Sequence, residues 1–139
     1  MSRKRVEFGV LSLIFLVAVI NYIDRQTLSV AQPVISKVFA FSNRDYSRIV
    51  FAFLLAYALM QPLSGRLLDK LGTVRGFALA VIWWSAACAL TAVAGGAFSF
   101  AAYRFLLGAG EAALIPASIK TISEWLPVER RQYGIGIMN

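Results

Sequence analysis

Four ionisable side chains stand inside stretches that are otherwise apolar: Asp24 and Arg25 in "AVINYIDRQTLSV", and Arg104 and Glu111 in "AAYRFLLGAGEAALIPAS". The sequence has no histidine, so any proton chemistry falls to carboxylates, and no His-based metal site is available. A charge at the centre of a membrane span costs about 2.5–3.5 kcal/mol on insertion scales, and four cost on the order of 10 kcal/mol before pairing. Such residues need partners or water. Arg104 and Glu111 are close to two helical turns apart, so they share a face, with Gly108 between them. Asn21, Asp24 and Arg25 follow an i, i+3, i+4 spacing and share a face as well. The simplest arrangement turns both faces toward one polar cavity and pairs acid with base. The competing reading makes Asp24 and Arg25 an interfacial marker where the first helix ends, with Arg104 snorkelling outward. Glu111, about mid-span, has no such escape.

The elements that must position these residues are membrane helices. Of 139 residues, 59% are hydrophobic and 15% charged, too apolar for an ordinary soluble domain. The apolar residues cluster in Phe8 to Ile23, Ile49 to Leu63, Gly76 to Phe100 and Phe105 to Ile122. About 20 mostly apolar residues cross the hydrocarbon layer. Spans are expected at about 8–32, 46–66, 74–95 and 98–121, with a fifth helix beginning about 132. They must be helical, because the alternation of a barrel strand is absent. "MSRKR" before an apolar run has the look of a signal peptide, and Ser29-Val30-Ala31 of a cleavage site. Asp24 and Arg25 sit where a cleavage region is uncharged, and three more spans follow, so the first helix is expected to stay.

Charge sets the expected orientation. Arg3, Lys4, Arg5, Arg66, Lys70, Arg75, Lys120, Arg130 and Arg131 fall on one side of such spans, against Lys37, Arg44 and Arg48 on the other. The Lys/Arg excess marks the cytoplasmic side and places the N-terminus there. The net charge of +7 thus reports topology and does not argue for nucleic acid as a partner. Cys88 is the single cysteine, so no disulfide forms within the chain, and it reads as a small packing residue of the third span. No nucleophile–base pair or phosphate-cradling glycine loop is present, which argues against an enzyme and against a cofactor.

Between the second and third spans lies "GRLLDKLGTVRG", which resembles the loop motif of the major facilitator superfamily. "RFLLGAGEAALIPA", "NYIDRQTLSVAQPVI" and "SEWLPVERRQYGIGIMN" are similar, in order, to the fourth helix, first helix and loop between helices four and five of that superfamily's anion:cation symporters. The resemblance implies an all-α, multi-pass membrane bundle: the first four helices and the start of a fifth from a twelve-span fold. It implies proton-coupled import of a sugar acid such as a hexuronate, galactonate or glucarate across the cell (inner) membrane. By the same resemblance Arg25 and Arg104 bind the substrate carboxylate, as guanidinium presents paired donors to it. Asp24 and Glu111 carry protons, and Tyr22, Tyr57 and Gln61 meet sugar hydroxyls. Gly65, Asp69, Gly72 and Arg75 form a conformational latch, in which Gly65 allows close helix approach and Asp69 pairs with Arg75 or caps a neighbouring helix. Helices one and four occupy corresponding places in the family's inverted repeats, and each carries one acid and one Arg. The chain stops inside a helix and is expected to be part of a longer transporter, whose remainder is its missing partner. Two other readings stay open: a small four-helix drug exporter acting as a dimer, and a non-transporting membrane subunit.

Overall fold

The computed structural model describes residues 3–138, with side chains from residue 5 onward. The helices are α1 (Arg3–Val38), α2 (Asn43–Leu71), α3 (Thr73–Thr91), α4 (Ala97–Glu111), α5 (Leu114–Trp125) and α6 (Val128–Met138). Among the described residues four segments are long and apolar enough to cross a membrane: Arg5–Val38, Asn43–Leu71, Thr73–Thr91 and Ala97–Trp125. The fold is an all-α, multi-pass bundle. Large apolar side chains such as Phe8, Val30, Phe51 and Ile82 stay exposed on its outside, as expected where hydrocarbon is the solvent.

Local chemistry, rather than hydrocarbon thickness, decides where the helices end. The first helix does not stop at Asp24 and Arg25 but continues to Val38, so an interfacial end at that pair is ruled out. Helix α2 starts at a capping box: Asp45 N–H donates to Ser42 Oγ (3.2 Å), and Ser42 N–H donates to Asp45 Oδ2 (3.1 Å). Only Gly72 separates α2 from α3, at φ 80° and ψ 150°, a region open essentially to glycine. Helix α3 ends at Thr91, short of the expected 95, and α6 begins at Val128, ahead of the expected 132.

The hydrogen bonding of the fourth span is interrupted in the middle. Pro116 has no N–H to donate back to the carbonyl of Ala112, and Ala112 and Ala113 keep helical backbone angles between α4 and α5. Ser64 Oγ of α2 donates to that freed carbonyl at 3.2 Å. The break lies directly after Glu111.

Helix α4 packs between α2 and α3. Its glycines allow this: a Cβ on Gly108 would collide with the Phe53 carbonyl, and one on Gly110 with Trp83 and Trp84. Gly76 of α3 sits equally close to Leu68. At Gly65 a Cβ would meet nothing within 4 Å among the described residues. Close approach is therefore carried by glycines of α3 and α4, at the crossings themselves. The core joins Phe53, Trp84, Ala87, Leu107 and Leu114 at mid-bundle. Leu28, Ile49, Ala94 and Phe100 form a second cluster, and Ile14, Ile122 and Leu126 a third.

The α2–α3 turn, the α5–α6 turn and the start of α1 carry a set of polar ties. Lys120 Nζ of α5 pairs with Asp69 Oδ1 (2.6 Å) and donates to the Leu68 carbonyl (3.4 Å). Thr73 Oγ1 donates to Glu124 Oε1 at 2.6 Å, and Arg130 pairs with Glu7 at 3.1 Å. Arg131 donates to the carbonyls of Ser123 (2.7 Å) and Leu126 (3.3 Å), closing the C-terminal end of α5. Among the described residues Asp69 thus pairs with Lys120 and not with Arg75. Helix α5 brings Lys120 against the end of α2, where the last carbonyls also favour a cation; Arg75 lies exposed on the first turn of α3.

Candidate functional site

Glu111 is fully buried at the end of α4. Its Oε2 accepts a hydrogen bond from Arg25 Nε of α1 at 2.8 Å, an ion pair across 86 positions of sequence. The Arg25 guanidinium lies 4.5 Å from the Tyr57 ring centroid and 5.5 Å from that of Phe53, with the two rings stacked. Phe53, Tyr57 and Gln61 recur every four residues on α2 and so share one face. That face gives the cation an aromatic shelf, a contact of about 0.5–2 kcal/mol depending on desolvation. The polar face of α1 therefore meets α4 and α2 together.

The other half of the expected acid–base pairing takes a different form. Arg104 is buried and donates from Nη1 to the backbone carbonyl of Asp24 at 3.2 Å, not to its carboxylate. Among the described residues no carboxylate comes within ion-pair distance of Arg104. The Asp24 carboxylate instead accepts from the Cys88 thiol of α3, Sγ to Oδ1 3.4 Å. Cys88 is thus more than a packing residue. Arg104 Nε, Glu111 Oε1 and Asn21 Nδ2 are buried without hydrogen-bond partners among the described residues.

Arg25 and Arg104 line one cavity of about 210 Å³ with Ser29, Leu28, Val50 and Phe53. Pro33 lies within α1, and its missing N–H leaves the Ser29 carbonyl free of its helical donor. The cavity is lined by two arginines and Ser29 between apolar walls. It can take an anion by paired donation. A second cavity of about 280 Å³, lined by residues such as Met60, Leu67, Leu79 and Trp83 between α2, α3 and α4, carries no charge and cannot orient an anion.

The structure brings Asp24, Arg25, Tyr57, Arg104 and Glu111 together. Gln61 is half-buried one turn along from Tyr57, and its main-chain carbonyl accepts from Ser64 Oγ at 2.8 Å. Tyr22 is 65% exposed and lies outside the cluster. Gly65, Asp69, Gly72 and Arg75 belong to the α2–α3 end of the bundle, away from these charges in the chain fold. Phe53 and Cys88 are the contributors that sequence reasoning passes over. Phe53 is signalled only by its four-residue spacing from Tyr57. Nothing in the sequence singles out Cys88 as a partner for Asp24.

The sequence profile of the Major Facilitator Superfamily matches residues 14–139. The chain is 38% identical over 136 residues to the hexuronate transporter of Escherichia coli strain K12, covering 98% of this chain and 32% of that protein. It is 35% identical over 136 residues to the galacturonate transporter of Dickeya chrysanthemi, covering 98% and 39% of the two chains. To the probable L-galactonate transporter of Escherichia coli strain K12 it is 32% identical over 136 residues, covering 98% and 30%. The chain spans about a third of the length of these relatives. Among solved structures it is similar to a bacterial homolog of the human lysosomal transporter Spinster, in an inward-facing and occupied conformation. The TM-score is 0.84 at 28% identity, over 94% of this chain and 28% of that one. The relatives are transporters, not enzymes, and a separate small four-helix exporter family no longer describes the chain. From residue 14 onward, helices, charged faces and relatives agree: the chain belongs to the Major Facilitator Superfamily.

Proposed function

We propose that this chain supplies one wall of the substrate site of a secondary transporter that imports a sugar acid together with protons. The sugar acid is of the hexuronate, galactonate or glucarate type, and the protein sits in the cell (inner) membrane with its N-terminus in the cytoplasm. The observation that carries the reading is the buried Arg25–Glu111 pair beside Arg104, a guanidinium with no carboxylate partner among the described residues. The likeness to hexuronate, galacturonate and galactonate transporters supports the substrate class.

The chemistry follows from charge balance. Asp24 and Glu111 offset Arg25 and Arg104, so the empty site is close to neutral. An arriving carboxylate meets the Arg104 guanidinium at the cavity wall and competes with Glu111 for Arg25. Glu111, fully buried, is then left as a charge without a partner, which is costly, and taking up one proton removes that charge. Anion and proton thus enter together, and reversal on the cytoplasmic side releases both. Tyr57 and Gln61 lie on the α2 face beside Arg25 and serve the sugar hydroxyls. The basic residues at the α2–α3 and α5–α6 turns support the proposed orientation.

The test is uptake of labelled galacturonate in cells that lack their own hexuronate carrier and express the complete reading frame containing this sequence. Accumulation that collapses with an uncoupler, and is lost in Glu111→Gln while substrate exchange survives, is the expected result. Absence of uptake for hexuronate, galactonate and glucarate alike overturns the reading. So does accumulation that an uncoupler leaves unchanged.

A further inference from the structure

We infer that Cys88, on a helix with no charge in the site, is a positioning residue for Asp24 and serves that carboxyl group in both of its protonation states. The inference rests on the proposed proton-coupled import and adds a third helix to it.

The geometry around Asp24 is specific. Arg104 from α4 reaches its backbone carbonyl at 3.2 Å and leaves its carboxylate alone. Arg25, next to it on α1, is committed to Glu111 and to the aromatic shelf of Phe53 and Tyr57 on α2. The hydrogen bond that reaches the carboxylate comes from Cys88 Sγ, 3.4 Å from Oδ1. The thiol is half-buried and lies within electrostatic range of Asp24, Arg104 and Glu111. Those are the charged groups that face it from α1 and α4.

A guanidinium can donate to Asp24 in either state but cannot accept from the O–H that protonation creates, because it has donors and no acceptor. A thiol has a weak donor and a weak acceptor. When Asp24 is a carboxylate, Cys88 donates S–H to Oδ1. When a proton from external water binds Asp24, the new O–H can donate to Sγ, and the S–H turns away. The same proton leaves to cytoplasmic water on the return. Neither state leaves the carboxyl unpaired in a partly buried place, where an unmade hydrogen bond is costly. Cys88 thereby keeps Asp24 hydrogen-bonded in both states.

Cys88→Ala and Cys88→Ser, made in the complete reading frame, separate this role from packing. Cys88→Ser keeps a group that both donates and accepts; Cys88→Ala keeps the small volume and loses both. Two assays on each variant decide the matter: uncoupler-sensitive galacturonate accumulation, and galacturonate counterflow at equal pH, which needs no net proton release. Cys88→Ala is expected to reduce accumulation about fivefold, on the scale of one modest hydrogen bond, with counterflow within twofold of the parent. Cys88→Ser is expected to match the parent in both, across the pH profile of uptake. Equal accumulation and pH profile in Cys88→Ala and the parent overturn the inference. Parallel loss of accumulation and counterflow in both variants overturns it too, since that is a packing defect. If the parent itself shows no uncoupler-sensitive uptake, the proposed function fails, and with it this refinement.

Discussion

Separating Arg25 from Glu111 tests whether the pair acts as a unit, and the structure sets the size of each effect. Arg25→Leu leaves the Glu111 carboxylate fully buried, with Oε2 stripped of its donor and Oε1 already unpaired. Removing one partner of a buried pair costs about 3–5 kcal/mol. The Arg25 side chain is 34% exposed, so solvent already screens part of its charge, and about 3 kcal/mol is the figure to expect. That includes the lost contact with Tyr57. Glu111→Gln keeps the volume, and its amide oxygen can still accept from Arg25 Nε. The remaining guanidinium reaches water, so the cost is about 1 kcal/mol. Replacing both residues by Leu removes the two charges together and should fall within about 1 kcal/mol of the parent. The assay is unfolding of the purified protein in one detergent, with the two single Leu variants and the double variant forming a cycle. The double variant should be more stable than Arg25→Leu alone. A double variant whose loss equals the sum of the single losses refutes the coupling, and with it the claim that Arg25 neutralises Glu111.

Three further outcomes follow from the backbone and the polar ties. Gly108→Ala places a methyl against the Phe53 carbonyl and should cost about 1–3 kcal/mol by overpacking, whereas Gly65→Ala, with open space around it, should be neutral or stabilise by about 0.5–1 kcal/mol; melting of the two variants side by side checks this. Gly72→Ala forces a side chain into φ 80° and ψ 150° and should lower stability by about 1–3 kcal/mol, measured the same way. Asp69→Asn breaks the pair with Lys120, but Asp69 is 72% exposed. Its stability cost should stay below about 1 kcal/mol and shrink further in high salt; a salt-independent loss above that would mean the contact is more than a surface pair.

Much of the fold is legible in the residues because a bilayer leaves few choices. An apolar run long enough to cross hydrocarbon must be a helix there, so the spans and the shared faces of Asn21, Asp24 and Arg25 and of Arg104 and Glu111 follow from composition and spacing. Helix ends are less legible. The extension of α1 to Val38 and the start of α6 at Val128 depend on local backbone bonding that hydropathy does not sense. The break after Glu111 was written in Pro116, but its effect depends on Ser64 of α2 reaching the freed carbonyl.

Sequence alone determined the kinds of charge that this chain brings to the site and the helices that carry them, because these are properties of residue type and short-range period. Tertiary structure decided who meets whom. Glycines at 76, 108 and 110 let α2, α3 and α4 pack closely, and α1 lies against them so that Arg25 meets Glu111, Arg104 a carbonyl, and Asp24 a thiol. Lys120 displaced Arg75 as the partner of Asp69 for the same reason. Pairing across 51 to 86 positions of chain depends on helix rotation and crossing distance, and no local spacing rule contains either.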